Sequence, residues 1–167
     1  MLKRFALALA GLAMLVTAGG AAASDGHFCD GDGPGGPGAV YTMTNSSAGN
    51  AVLVFARRAD GSLVAAGSYA TGGAGGALGS GHSLVVSQDG HLVAAVNAGS
   101  NTVTLLRIDR HGPALRDLEL SGGATPISAT IHGKLVYVLN AGSGATPANI
   151  SGFVIWRQRL VPLGVAL

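Results

Sequence analysis

Beyond residue 38 the chain alternates between short apolar runs and small polar punctuation, and no helical period is sustained. The runs AVYTMTN (39–45), AVLVF (51–55), HLVAAVN (91–97), TVTLLRI (102–108), KLVYVLN (134–140) and ISGFVI (150–155) are rich in Val, Leu, Ile and Tyr. Each is bounded by Gly, Asn, Asp or Ser, the boundary chemistry of β-strands. Gln88-Asp89-Gly90 and His132-Gly133 separate strand pairs as tight turns, where glycine supplies a positive φ. The inner runs are almost continuously apolar, the pattern of strands covered on both faces.

The pattern also repeats. Asn45, Asn97 and Asn140 end equivalent runs 52 and 43 residues apart, and Asn50, Asn101 and Asn149 close the loops that follow. Four short strands every 40–50 residues is the spacing of a β-propeller blade. The expected fold is therefore all-β: about eleven antiparallel strands in three sheets, as blades of an incomplete propeller. Blade 1 covers about 39–73 and begins at its second strand. Blade 2 covers about 82–122 and is complete, with strands at 82–87, 91–97, 102–108 and 114–120. Blade 3 covers about 126–163, and the partial propeller as a whole spans 39–167. A lone four-stranded sheet exposes two apolar faces, so each blade requires a neighbour. Open faces imply self-association.

The first 23 residues read as a signal peptide. Lys3 and Arg4 form a positive start, Phe5 to Val16 an apolar stretch, and Ala21-Ala22-Ala23 a small-residue cleavage site before Ser24. About 12 apolar residues fall short of the roughly 20 that span a bilayer. Residues 24–38, SDGHFCDGDGPGGPG, read as a Gly/Pro-rich flexible arm. Its Gly31, Gly33 and Gly36 satisfy G-x-G-x-x-G, but no strand precedes them and Pro34 and Pro37 deny a following helix. Asp30 and Asp32 open like a calcium loop, which Pro34 and the missing acidic twelfth position end. Export to the periplasm or beyond the cell is the expectation, and the Arg-over-Lys, Ala/Gly-rich composition points to a bacterium.

Composition narrows the function. Charged residues make up 11% of the 167 and hydrophobic ones 48%, which excludes charge-driven disorder. A single cysteine, Cys29, excludes a disulfide framework and any cysteine metal cluster. From Ser24 onward eight Lys/Arg face eight Asp/Glu, so the processed chain is neutral overall and no nucleic-acid partner is expected. No membrane contact is expected after signal cleavage. No cofactor or metal is expected either, since there is no G-x-S-x-G, no H-E-x-x-H and no His/Cys spacing for a metal. Asp60, Asp89 and Asp109 sit at turns, which turn chemistry explains. The same holds for Asn45, Asn97 and Asn140, whose side chains can bond their own backbone two residues on. His27 lies in the arm, and His91, His111 and His132 adjoin turn glycines. His82 differs. It opens the inner strand of blade 2 in G-S-G-H-S, at the mouth of a central channel, where a histidine can act as general base or polarise a carbonyl.

LVYVLN-AGS with its following I-S-G-F, and LVAAVN-AGSN-TV, resemble the YVTN-type repeats of lactonase-like seven-bladed propellers. Propeller-type 6-phosphogluconolactonases and carboxy-muconate lactonising enzymes belong to that family. The resemblance covers about 39–163. It implies an exported lactonase-like protein acting on a small sugar-acid or muconate lactone, with His82 as the candidate catalytic residue. The alternative is a non-catalytic exported module that binds a protein, glycan or cell-surface ligand. The family closes seven blades where this chain has fewer than three, so the resemblance also implies a truncated member with doubtful activity alone.

Overall fold

The computed structural model describes residues 38–77 and 81–166; the expected signal peptide, most of the arm and Cys29 lie outside them. Eleven strands fill most of this length, with no helix among the described residues. Blade 1 contains β1 (Ala39–Met43), β2 (Ala51–Arg57) and β3 (Leu63–Ala70). Blade 2 contains β4 (Leu84–Val86), β5 (Leu92–Asn97), β6 (Thr102–Asp109) and β7 (Gly112–Leu120). Blade 3 contains β8 (Pro126–His132), β9 (Leu135–Asn140), β10 (Asn149–Trp156) and β11 (Arg159–Ala166). Each sheet is an antiparallel meander in chain order, with three strands in the first and four in the others. Glycine does what the turns require of it: Gly90 and Gly133 have φ of 73° and 56°.

Blade 2 is the filling of a sandwich, and β5 shows how. Its Val93 and Ala95 pack with Val52 and Val54 of blade 1 and with Leu106 and Ile108. Its Ala94 and Val96 face the other way, onto Ala129, Val136, Val138 and Phe153 of blade 3. Successive side chains of a strand point to opposite faces, so apolar residues at every position mean a neighbour on each side. Strand β9 has the same run of residues but only one neighbour. Val136 and Val138 are fully buried, while Tyr137 and Leu139 stay about 40% exposed. Those two occupy the repeat positions that Ala94 and Val96 fill in blade 2.

The third and fourth strands of every blade are joined through a bulge, at Val54/Phe55, Leu105/Leu106 and Gly152/Phe153. A bulge adds a residue on one strand and increases the local twist. In blade 2 the extra residue is Arg116 on β7, while β6 keeps its alternation: Leu105 enters the core toward blade 3 and Leu106 the core toward blade 1.

Candidate functional site

The meander gives the sheets two chemically different ends. At one lie the loops between second and third strands (44–50, 97–101, 141–148) and the links between blades (71–77, 81–83, 121–125). Among the described residues, these loops contain no Asp, Glu, Lys or Arg, and His82 is their one ionisable side chain. His82 sits in the turn two residues before β4 and is exposed. Its carbonyl accepts the Ala129 amide of β8 at 2.9 Å, tying the start of one inner strand to the next blade's inner strand. Asp117, whose side chain is 9% exposed, lies on the outer strand β7. It accepts the Leu160 amide at 2.7 Å and stands 3.9 Å from Arg159.

Asp60, Asp89 and Asp109 do act as turn residues. Asp60 accepts the Ser62 hydroxyl and amide, which hold its carboxyl below the usual aspartate value. Asp89 accepts the Ser87 hydroxyl at 2.5 Å and the His91 amide at 3.1 Å, with the same effect. Asp109 accepts the His111 amide. His91, His111 and His132 are exposed. No group of three metal-ligating side chains occurs among the described residues.

The asparagines correct the expectation that local turn chemistry explains them. Asn45 and Asn101 do adopt the left-handed conformation, with φ of 51° and 55°. Asn97 and Asn140 do not. Both are fully buried and hold one blade to the preceding one. The Asn97 amide donates to Thr102 Oγ1 at 3.1 Å and Thr104 Oγ1 at 2.8 Å. Its carbonyl accepts from Asn50 Nδ2 at 3.0 Å and Thr71 Oγ1 at 2.8 Å. The Thr104 hydroxyl then donates to the Thr71 carbonyl at 2.9 Å. Five polar side chains of two blades, four of them buried, are thus satisfied together. At the next joint, Asn140 Nδ2 donates to Asn149 Oδ1 at 2.7 Å and to the Ser121 carbonyl and Ser151 Oγ, each at 3.1 Å.

Both joints need a glycine. A Cβ on Gly73 would sit 2.5 Å from Asn97 Cγ, and one on Gly123 would sit 2.7 Å from Asn140 Cβ. The signal was present in the sequence as Thr71-Gly72-Gly73 and Ser121-Gly122-Gly123, each ahead of a strand-ending asparagine. Its meaning requires two blades in contact. Beside the first joint an open cavity of about 440 Å³ is lined by Gly49, Asn50, Gly72, Gly73 and nearby alanines. It has no charged wall.

Meandering sheets, packed face to face through alternate residues of a shared middle sheet and linked from outer strand to next inner strand, define the architecture. These are β-propeller blades. A solved structure from Bacteroides fragilis NCTC 9343, titled "putative 6-phosphogluconolactonase", shares the fold with a TM-score of 0.54 at 20% sequence identity. The match covers 77% of this chain and 35% of that one, so the chain spans about a third of its solved neighbour. At that identity the likeness shows a β-propeller fold and nothing finer. No family model and no curated protein matches the chain.

Proposed function

We propose that the chain is a section of an exported lactonase-like propeller whose closed form hydrolyses or forms a sugar-acid or muconate lactone. The observation that carries this reading is the shared fold with the propeller titled "putative 6-phosphogluconolactonase". In this reading His82, at the start of an inner strand, activates water or polarises the lactone carbonyl. An acid or arginine partner then has to come from blades beyond these three, because the loops around His82 offer none among the described residues. Residues 1–23 direct export, and the working location is periplasmic or extracellular.

A second reading is favoured by the same uncharged loops: a non-catalytic exported module that binds a protein, glycan or cell-surface ligand. A lactone panel separates the two. In any species that turns over a lactone, His82→Ala should lower the rate by about a hundredfold, the usual scale for loss of a general base. An unchanged rate would remove His82 from the chemistry. Absence of turnover in every assembled form would favour the binding module.

A further inference from the structure

The opposite end of the sheets is as charged as the His82 end is bare. Every outer hairpin, between the third and fourth strands, carries two arginines: Arg57 and Arg58 in blade 1, Arg107 and Arg110 in blade 2, Arg157 and Arg159 in blade 3. All six are exposed, and Lys134 adds an exposed cation at the inner turn of blade 3. The carboxylates in these turns are Asp60, Asp89 and Asp109. Each is engaged by an amide of its own turn, and Asp109 also lies 3.8 Å from Arg116 on β7. Seven cations against three carboxylates leave this end at a formal +4. Arg159 keeps a side-chain exposure of 75% despite its contact with Asp117. The neutral total of the processed chain concealed this, because Asp25, Asp30 and Asp32 fall in the arm.

Apolar surface accompanies the charge. Trp156, 59% exposed, stands next to Arg157, whose guanidinium lies 5.9 Å from the ring centroid. Val161 follows on the same hairpin, and Leu63 and Val64 follow the arginines of blade 1; all three are exposed. Successive blades repeat one sheet around a common axis, so equivalent hairpins stand at the same height along it. Three arginine pairs at one height can meet a flat surface together. Arginine beside exposed tryptophan and aliphatic residues is the composition of a membrane-water interface, where cations pair with headgroups and the indole sits at their level. Single-stranded nucleic acid asks instead for successive stacking aromatics, and Trp156 is the only Trp, Tyr or Phe in these turns.

We propose that the hairpin end of the blades docks on an anionic phospholipid surface, with the His82 end facing away. The test is sedimentation of the full chain, as its host processes it, with vesicles of phosphatidylglycerol and phosphatidylcholine in equal parts or of phosphatidylcholine alone. Any contribution of the 5–16 segment is common to all variants and appears with the neutral vesicles. The sole tryptophan reports contact directly. The expected result is binding to the anionic vesicles with a blue shift of Trp156 emission. That binding should be lost on neutral vesicles and between about 0.1 M and about 1 M salt, as the Debye length falls from about 10 Å to about 3 Å. R57Q/R58Q/R157Q/R159Q should weaken it at least about tenfold, since each cation near an anionic leaflet strengthens binding several-fold, whereas His82→Gln should leave it unchanged. Equal binding by the quadruple variant, or no binding to anionic vesicles, overturns the proposal. So does equal binding to soluble alginate with no tryptophan shift. Should the quadruple variant lose its β-sheet circular dichroism, the lipid, salt and tryptophan responses of the unaltered chain decide.

Discussion

Asn97 is fully buried and holds four hydrogen bonds, so its removal orphans partners on two blades at once. Buried donors and acceptors left unpaired cost about 1–3 kcal/mol each before relaxation. Asn97→Ala should therefore destabilise the fold by roughly 2–4 kcal/mol, measured by urea denaturation. The exposed Asn101→Ala, which gives up a left-handed conformation that asparagine tolerates and the bond from the Thr125 amide at 2.7 Å, should cost about 1–2 kcal/mol. Equal losses would mean that the asparagine matters as a turn residue after all. The turn aspartates make a separate test. The Ser87 hydroxyl is the first cause of the lowered carboxyl of Asp89. A depressed folded value contributes stability above the unfolded value and loses it as pH falls through the folded one. Ser87→Ala should raise the Asp89 titration midpoint, read by NMR, and move the acid loss of that turn to higher pH. The sequence displayed the asparagines, the turn aspartates and the glycine pairs equally plainly. The aspartates act within three residues, so their role was legible. The asparagines act across blades, so theirs was not.

At the scale of strands, the boundaries followed from turn chemistry, and strand ends fall within a few residues of the apolar runs. What the runs alone could not give was which face each residue serves. Residues 91–97 and 134–140 read alike, yet β5 has two covered faces and β9 has one. Neighbouring positions on β9 should therefore respond in opposite ways. Val138→Asp places a charge in the core between blades 2 and 3 and should prevent folding or cost more than about 4 kcal/mol. Leu139→Lys, one residue later, should change stability by less than about 0.5 kcal/mol and reduce self-association. Thermal melting of the two variants with light scattering checks both. A large loss of stability for Leu139→Lys would show that a partner covers this face in the protein as it exists. The repeated bulge before the outer hairpin was not legible at all. It is a property of pairing, one extra residue on each outer strand, and the apolar runs carry no trace of it.

At the scale of the molecule, three blades end in an apolar sheet face that includes Tyr137, Leu139, Ile150 and Leu163, each 40% exposed or more. The propeller fold itself was legible because the repeat states it. The segregation of charge was not, since cations spread evenly along the sequence gather only when the meander brings equivalent hairpins to one end. The open face and the uncharged loops at the His82 end, among the described residues, lead to the same expectation for chemistry. A channel formed by inner strands positions a substrate only when the strands surround it, and catalytic groups must be held to within about 0.5 Å. The most direct measurement is lactone turnover across size-exclusion fractions of residues 24–167, with mass determined by light scattering. The account predicts no turnover in the monomer fraction, with any activity confined to assemblies large enough to close a ring. Robust turnover by the monomer would contradict it.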